Sequence, residues 1–153
     1  MPLDQPIFYF STPIEVRFSD LDAFHHVNNA VYFTYMEQAR FHYLKRVGLF
    51  DGTMSSLGII IAEAACTYLA PIVFDQNIVI RVRATHLKNS SFVFEYSLDD
   101  ADSGRVMATG RTVQVCFDYA AGRSMPIPAA WRERLERFER GGSTPPTPRT
   151  PGY

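Results

Sequence analysis

The densest group of reactive side chains in the sequence lies between Ser19 and Asn29, in a polar run that precedes a helical pattern. The run contains two carboxylates, two imidazoles and two carboxamides, from Asp20, Asp22, His25, His26, Asn28 and Asn29. A carboxylate held just before a helix can attack a carbonyl carbon or activate a water molecule that does so. The unpaired N–H groups of the helix N-terminus can then stabilise the oxygen that becomes charged. This combination favours acyl transfer or hydrolysis.

The same residues have simpler roles, which the sequence alone leaves open. Asp20 and Asp22 are suited to capping a turn, and Asn28 or Asn29 to capping the helix. The two histidines fit structural or solvated positions. Asp and His are also metal ligands, but their spacing here matches no zinc-binding pattern, and no metal site is predicted.

One strand and one long helix flank this loop. Residues 14–18 alternate apolar and polar side chains, which predicts a strand before the loop. After the loop, apolar residues recur at helical spacing and predict a long helix: Tyr32, Met36, Ala39, Tyr43 and Val47. Asn28 or Asn29 is the expected N-cap, and Gly48 is the expected C-terminal stop. The apolar stripe of such a helix has to be buried against a sheet.

The rest of the chain is predicted to consist mainly of strands. Alternating or continuous apolar patterns indicate strands over residues 58–69, 78–85, 92–98 and 112–117. Turn-forming residues at 89–90 and 102–104 suit antiparallel hairpins. An amphipathic pattern over residues 128–140 predicts a short C-terminal helix. The expected fold is therefore α+β, with an antiparallel sheet of about five strands wrapped around one long central helix.

Length and composition exclude several classes of protein. The chain has 153 residues, 46% of them hydrophobic, and a formal net charge of -1. These values predict one domain over residues 1–140, and the proline-rich run over residues 141–153 is expected to be a disordered tail. The near-neutral charge argues against nucleic-acid binding, and no apolar run is long enough to span a membrane. Without a secretion signal, and with two isolated cysteines, we expect a cytoplasmic protein with reduced thiols.

The run from Asp20 to Tyr32, DLDAFHHVNNAVY, resembles the signature of hotdog-fold acyl-CoA thioesterases of the 4-hydroxybenzoyl-CoA thioesterase-like family. The family pattern is Asp-any-Asp, two variable residues, often a glycine, and His-Val-Asn-Asn before a tyrosine-containing helix. The resemblance extends over residues 14–118 and includes Glu63, the residues 68–71 and the turn over residues 88–92. The resemblance implies a hotdog fold. It also implies an enzyme that hydrolyses acyl-CoA to a free acid and CoA without a metal or redox cofactor.

The resemblance also implies roles for individual residues. Asp22 would be the catalytic carboxylate, as nucleophile or general base, and the backbone N–H near Asn29 would polarise the thioester carbonyl. His26 would order the loop or the attacking water. The residues with weaker expected roles in binding substrate or CoA are Glu63, Lys88, Asn89 and Ser90. His25 stands where the family usually has glycine, so its side chain is expected to alter the loop backbone or narrow the acyl pocket.

The sequence also bears on the oligomeric state and on functions other than acyl-CoA hydrolysis. Hotdog dimers join two sheets edge to edge and place each active site between subunits, so the resemblance implies a homodimer or homotetramer. Arg81 and Arg83 fit two interpretations, as ligands of CoA phosphates or as solvated strand residues. Two other functions stay open: hydrolysis of acyl groups on a carrier protein, and non-catalytic binding of acyl-CoA.

Overall fold

The structure is a computed structural model that describes residues 5–50 and 58–142. Its strands and helices follow in the order β1 (Phe10–Ile14), α1 (Val31–Val47), β2 (Ile59–Tyr68), β3 (Ile78–Thr85), β4 (Ser91–Asp100), β5 (Val106–Asp118), β6 (Arg123–Ser124) and α2 (Ala129–Glu139). The predicted loop over residues 51–57 and residues 143–153 of the predicted tail lie outside the described residues. No helix in the described ranges is long and apolar enough to cross a membrane.

The strands form one antiparallel sheet in the order β1-β3-β4-β5-β2, and the two-residue β6 pairs with β5. The helix α1 packs against this sheet and contacts β1, β2 and β3. The predicted α+β class is therefore confirmed: a long central helix on an antiparallel sheet, with a short C-terminal helix. A strand as short as β6 has no periodicity from which it could be predicted.

The apolar stripe predicted for α1 is buried in the core. Each of its residues is at most 2% exposed: Tyr32, Met36, Ala39, Tyr43 and Val47. The sheet contributes alternating residues such as those of β3: Ile78, Ile80, Val82 and Ala84. Gly110 on β5 allows a close approach, because a Cβ at this position would overlap with Met36 Sδ. Helix and sheet therefore meet directly at the middle of α1.

The predicted strand over residues 14–18 is wrong in its position. The strand β1 covers Phe10–Ile14, and a single 3-10 turn forms at Phe18–Asp20. Its partner β3 begins at Ile78, opposite Ile14, so the residues that follow Ile14 have no strand with which to pair. The alternation correctly indicates that Ile14 and Val16 are buried, but Phe18 is 78% exposed. An alternating pattern does not indicate where a partner strand ends.

The C-terminal end of α1 agrees with the prediction, whereas its N-terminal end differs. The N-cap position is Ala30, which makes no side-chain capping hydrogen bond, rather than Asn28 or Asn29. Asn28 acts before the helix: its Oδ1 accepts from the Ala30 N–H and its carbonyl from the Val31 N–H, both at 2.9 Å. Gly48 is confirmed as the C-terminal stop, with a φ of 85° that glycine adopts without strain.

The C-terminal helix α2 is attached to α1 and β3 through Glu139. The Glu139 Oε1 accepts from the Tyr43 hydroxyl at 2.5 Å and from the Ala84 N–H at 2.8 Å. Burial raises the pKa of Glu139, and these two hydrogen bonds offset only part of that effect. Gly141 and Gly142, which belong to the predicted tail, donate backbone N–H groups to carbonyls of α2. The C-terminal half of α1 is thus anchored by a half-buried carboxylate.

Candidate active site

The predicted reactive loop, the start of α1 and the end of β2 surround an open cavity of about 420 Å³. Three residues predicted for catalysis line it: Asp22, His26 and Asn29. The rest of the lining is mostly apolar or aromatic and includes Phe24, Val27, Tyr32, Tyr68, Leu69 and Pro71. The fold thus brings the candidate reacting groups next to a surface on which an acyl chain can pack.

Asp22 lies in a tight turn that leaves one of its carboxylate oxygens unused. Its Oδ1 accepts from the Phe24 N–H at 2.9 Å, which is a turn-capping hydrogen bond. Its backbone N–H donates to the His26 carbonyl, and its carbonyl accepts from the His25 N–H. No hydrogen bond between described residues uses Asp22 Oδ2. The two interpretations of Asp22 are therefore compatible, since one oxygen caps the turn and the other is available to a substrate.

His25 occupies a backbone conformation that favours glycine. Its φ is 64°, in the left-handed region, where a residue with a Cβ is strained by about 1–2 kcal/mol. The Cβ of His25 is therefore held in a backbone region that glycine adopts without strain. The imidazole is exposed and does not line the cavity, so the expected narrowing of the pocket is not seen within one chain.

The backbone N–H of Asn29 is available as a hydrogen-bond donor at the start of α1. The Val31 N–H donates to the Asn28 carbonyl and so fixes the peptide plane between Asn28 and Asn29. Because the C=O and N–H of a trans peptide point in opposite directions, the Asn29 N–H points away from the first turn of the helix. No hydrogen bond between described residues uses this group. The positive end of the helix dipole adds to its suitability for an oxyanion.

Two tyrosines connect the walls of the cavity. The Tyr68 hydroxyl donates to the Asn29 carbonyl at 2.7 Å, and the Tyr32 hydroxyl accepts from the Ile72 N–H at 3.2 Å. Their rings pack edge to face with centroids 4.8 Å apart. Burial raises the pKa of both hydroxyls, so both stay protonated at neutral pH. No local sequence pattern indicates these contacts, because they join residues 39 and 40 positions apart.

Asp20 is 1% exposed and does not line the cavity. Its Oδ2 accepts from the Tyr35 hydroxyl at 2.7 Å and from the Arg17 N–H at 2.9 Å. Its Oδ1 accepts from the Arg17 guanidinium at 2.8 and 3.2 Å. Burial by itself would raise the pKa of Asp20, but the hydrogen bonds from Arg17 and Tyr35 outweigh burial and lower it. Asp20 is therefore an ionised structural carboxylate.

His26 contributes to the loop through its main chain. Its carbonyl accepts from the Asp22 N–H, and its backbone forms an isolated bridge with Val73. The imidazole is exposed and lines the cavity. No hydrogen bond in the described part of the chain joins it to Asp22. Loop order thus comes from the His26 backbone, and a role of the imidazole toward water stays a prediction.

Glu63 lies on β2 but outside the cavity. Its carboxylate pairs with Arg111 of β5 at 2.6 Å, and the two side chains are 59% and 47% exposed. In the register of β2 on β5, Glu63 is opposite Val113, between Thr112 and Gln114. The side chains of Thr112 and Gln114 are buried on the α1 side, so Glu63 faces away from α1. Glu63 therefore does not line the cavity of its own chain, and its role in binding substrate stays a prediction.

The predicted CoA-binding residues 88–90 form the turn between β3 and β4, far from the cavity. The Ser90 carbonyl accepts from the Cys116 N–H at 2.8 Å, and Cys116 is opposite Ile59, the first residue of β2. Tyr68, which lines the cavity, is the last residue of β2. About 30 Å of strand therefore separates the turn from the cavity in one chain.

Arg81 and Arg83 form ion pairs on the sheet, with Asp99 at 2.6 Å and Glu95 at 2.5 Å. The Phe8 ring also lies 4.8 and 5.7 Å from the two guanidinium groups. Neighbouring carboxylates thus neutralise both arginines. Of the two interpretations above, the structure favours strand residues at the surface over ligands of phosphate.

The thiols are poor candidates for the reacting group. Cys66 and Cys116 are unpaired, and burial raises the pKa of both, that of Cys116 to about 11. Both are therefore protonated at neutral pH, whereas a thiolate is needed for attack. Over residues 5–50 and 58–142, no group of three or more His, Cys, Asp or Glu side chains is arranged to hold a metal ion. Asp22 is the carboxylate that lines the cavity.

Sequence comparison relates the chain to known thioesterases. Residues 16–135 match the family model of the thioesterase-like superfamily. Long-chain acyl-CoA thioesterase FadM of Escherichia coli (strain K12) is 27% identical over 128 residues, which cover 83% of this chain and 97% of FadM. Chloroplastic acyl-acyl carrier protein thioesterase ATL3 of Arabidopsis thaliana is 23% identical over 134 residues, which cover 86% of this chain and 70% of ATL3.

Structural comparison agrees with the sequence. A thioesterase from Thermus thermophilus, crystallised with coenzyme A and Zn, is 34% identical, with a TM-score of 0.78 over 90% of this chain and 98% of that chain. The hotdog fold implied by the sequence resemblance is confirmed. Since the family match includes the reactive loop, α1 and the whole sheet beyond β1, the chain belongs to the thioesterase-like superfamily and is a thioester hydrolase.

Proposed function

We propose that the protein hydrolyses acyl-CoA to a free acid and CoA, with Asp22 as the reacting carboxylate and the Asn29 N–H as the oxyanion donor. One observation carries the proposal: Asp22 and Asn29 line the same cavity, and neither Asp22 Oδ2 nor the Asn29 N–H is used by another described residue. Support for CoA comes from the acyl-CoA substrate in the name of FadM and from the coenzyme A bound to the Thermus thermophilus thioesterase.

The chemistry follows either of two routes from Asp22. As a nucleophile, Oδ2 adds to the thioester carbonyl carbon, CoA leaves as a thiolate, and water hydrolyses the resulting anhydride. As a general base, Asp22 takes a proton from water as the water oxygen adds to that carbon, and the proton passes to the departing sulfur. In both routes the carbonyl oxygen becomes negative, and the Asn29 N–H stabilises it.

The exposed edge of β2 supports a homodimer. The strand pairs with β5 on one edge, and no strand in the described part of the chain pairs with its other edge. This edge strand has ten residues, and Ile60 and Ile61 are 36% and 42% exposed. A long, apolar, unpaired strand edge is prone to aggregation unless another strand covers it. In the proposal, β2 of a second copy covers it in an antiparallel, two-fold pairing.

Such a dimer would also explain the position of the predicted CoA-binding turn. Antiparallel pairing places the Ile59 end of one β2 beside the Tyr68 end of the other. The partner's residues 88–90, which adjoin Ile59, then approach the cavity that residues 88–90 of the same chain do not reach. The partner's Lys88 would supply a cation for a CoA phosphate.

The proposal is tested with short, long and aromatic acyl-CoAs and release of free thiol as the readout. Asp22→Asn is compared with Asp118→Asn, because Asp118 Oδ1 caps its turn through the Ala120 N–H at 2.9 Å, as Asp22 Oδ1 caps the Phe24 N–H. We expect Asp22→Asn to lower kcat/KM by roughly 10²–10⁴-fold. Asp118→Asn keeps turnover, because it perturbs only a turn.

Three outcomes would contradict the proposal or its parts. Near-normal turnover by folded Asp22→Asn would eliminate Asp22 as the reacting group. No turnover of any acyl-CoA by the wild-type protein would refute acyl-CoA hydrolysis. Faster hydrolysis of the same acyl chains on a carrier protein would favour the alternative to which the similarity with ATL3 points.

The dimer is tested with a second matched pair of variants. Ile61→Lys places a charge on the unpaired edge of β2, whereas Ile7→Lys changes an isoleucine that is 63% exposed elsewhere. By sedimentation velocity, we expect Ile61→Lys to be monomeric and to lose at least about tenfold in kcat/KM, and Ile7→Lys to match the wild type. A wild-type protein that is fully active as a monomer would refute this arrangement.

A further inference from the structure

The carboxylate of Asp20 has all of its strong hydrogen-bonding capacity satisfied inside the protein. Two donors come from the Arg17 side chain, one from the Arg17 main chain and one from the Tyr35 hydroxyl. Although the Arg17 side chain is 64% exposed, the Asp20 carboxylate is only 1% exposed and does not line the cavity. Its side chain and therefore its backbone are held in one position relative to α1, on which Tyr35 lies.

The backbone of Asp20 continues this anchor to the proposed oxyanion donor. The Asp20 carbonyl accepts from the Asn28 N–H at 2.9 Å. The Asn28 carbonyl accepts from the Val31 N–H, and its Oδ1 accepts from the Ala30 N–H. These bonds hold both sides of Asn28, and the peptide plane that Asn28 shares with Asn29 sets the direction of the Asn29 N–H.

We propose that Asp20 is a positioning residue that aims the Asn29 N–H at the thioester carbonyl. This inference rests on the proposed function and adds to it a residue that does not touch the substrate. Asp20 acts through Asn28. The Asp20 carboxylate fixes the position of the Asp20 backbone, and the Asp20 carbonyl accepts from the Asn28 N–H. An oxyanion donor stabilises the transition state more than the bound substrate, so a misaimed donor lowers kcat more than it changes KM.

The chain provides a matched control at the other half of the same helix. Tyr35 and Tyr43 are both buried on α1, 3% and 0% exposed. Each donates its hydroxyl to a carboxylate, Tyr35 to Asp20 at 2.7 Å and Tyr43 to Glu139 at 2.5 Å. Replacement of either tyrosine by phenylalanine removes one hydrogen bond of the same kind. The bond of Tyr35 leads to the loop, whereas that of Tyr43 leads to α2.

The experiment compares kcat, KM and Tm of Tyr35→Phe and Tyr43→Phe on an acyl-CoA that the wild-type protein hydrolyses. We expect Tyr35→Phe to lower kcat about tenfold, in line with one hydrogen bond to a charged group, with KM within about twofold. The two variants are expected to lower Tm by similar amounts, but Tyr43→Phe is expected to keep the wild-type kcat. Asp20→Asn, where it folds, is expected to lower kcat by roughly 10²-fold, the cost typical of a misplaced group.

Amide hydrogen exchange at Asn28 supplies a readout that does not depend on turnover. We expect this amide to exchange faster in Tyr35→Phe than in the wild-type protein, and to be unchanged in Tyr43→Phe. Unchanged kcat and unchanged Asn28 exchange in Tyr35→Phe would overturn the inference while leaving the proposed function in place. Equal loss of kcat in both tyrosine variants would also overturn it, since Asp20 would then act only through stability. Failure of the wild-type protein to hydrolyse any acyl-CoA would instead refute the proposed function.

Discussion

Asp20 and Asp22 lie two residues apart in one loop, yet their surroundings are opposite. Asp20 is 1% exposed, and both of its carboxylate oxygens accept hydrogen bonds from Arg17 or Tyr35. Asp22 is half-buried, lines the cavity, and has one oxygen that no described residue uses. The same side-chain chemistry is thus committed to structure in one residue and available for reaction in the other.

The difference arises from the backbone as well as from the partners. The 3-10 turn at Phe18–Asp20 directs Asp20 inward, toward Tyr35 of α1. The turn that follows, with His25 at a φ of 64°, returns the chain so that Asp22 faces the cavity. A stable, well-paired segment therefore supports a strained, partly exposed one, a division that is common at active sites.

The largest expected effect on stability separates the two aspartates. Asp20→Asn places an amide group against the Arg17 donors and weakens the bond from Tyr35, so we expect the free energy of unfolding to fall by about 2–3 kcal/mol. Asp22→Asn loses no buried partner and is expected to change stability by less than about 0.5 kcal/mol. Urea denaturation of the two variants measures both values. Equal destabilisation would show that the contrast between the aspartates is wrong.

The pH dependence of stability is expected to differ between the carboxylates of Asp20 and Glu139. Burial raises the pKa of Asp20, but hydrogen bonds from Arg17 and Tyr35 bring it below its ordinary value of 3.8. A folded-state pKa below the unfolded value means that the stabilisation is present above pH 3.8 and is lost as pH falls through the folded pKa. The stability difference between the wild type and Asp20→Asn should therefore shrink in acid.

Glu139 provides a control, because its contribution to stability is expected to change with pH in the opposite direction to that of Asp20. Burial raises the pKa of Glu139 above its ordinary value of 4.5, so its contribution is fully present below pH 4.5 and is lost as pH rises through the folded pKa. Relative to Glu139→Gln, the wild type should lose stability as pH rises from 4.5 through the folded-state pKa of Glu139. Urea denaturation at a series of pH values tests both aspartate and glutamate variants. The same sign for the two would contradict the assigned surroundings.

The smallest expected effect concerns the strained turn. His25→Gly removes the Cβ from a left-handed backbone position, and the gain is partly offset by the greater freedom of glycine in the unfolded chain. We expect a net stabilisation of up to about 1 kcal/mol, measured by thermal unfolding. Asp75→Gly, at a φ of 66° outside the cavity and with no side-chain hydrogen bond to a described residue, serves as the control for strain alone. Destabilisation by His25→Gly would show that its side chain supports the turn.

Periodicity is sufficient to predict most elements of the fold. The helix α1 and the strand β3 match their predicted buried faces, because each alternates or repeats apolar residues with one clear period. The strand β5 begins at Val106, whereas the predicted strand begins at residue 112. The prediction begins too late because Gly110 interrupts the apolar pattern. That glycine is needed for contact with Met36, which is a tertiary reason that local patterns do not contain.

The candidate site is predictable only where it is continuous in sequence. Residue types and resemblance indicate the run from Asp22 to Asn29, and the structure places Asp22, His26 and Asn29 at one cavity. The partners of Asp20 and of Asn29 are not predictable, because Tyr35 and Tyr68 reach them across the fold. In the proposed dimer, a role for residues 88–90 depends on a second chain, and no pattern within one sequence specifies that geometry.

The most direct test of the proposed site is a crystal structure of Asp22→Asn with an acyl-CoA that this variant cannot hydrolyse. We predict the thioester carbonyl oxygen at about 2.7–3.2 Å from the Asn29 nitrogen, as in an ordinary hydrogen bond. The carbonyl carbon should lie roughly 3–3.5 Å from the side chain of residue 22 or from a water molecule bound to it. A thioester bound away from both groups, in a site formed by either subunit, would contradict the assignment of Asp22 and Asn29.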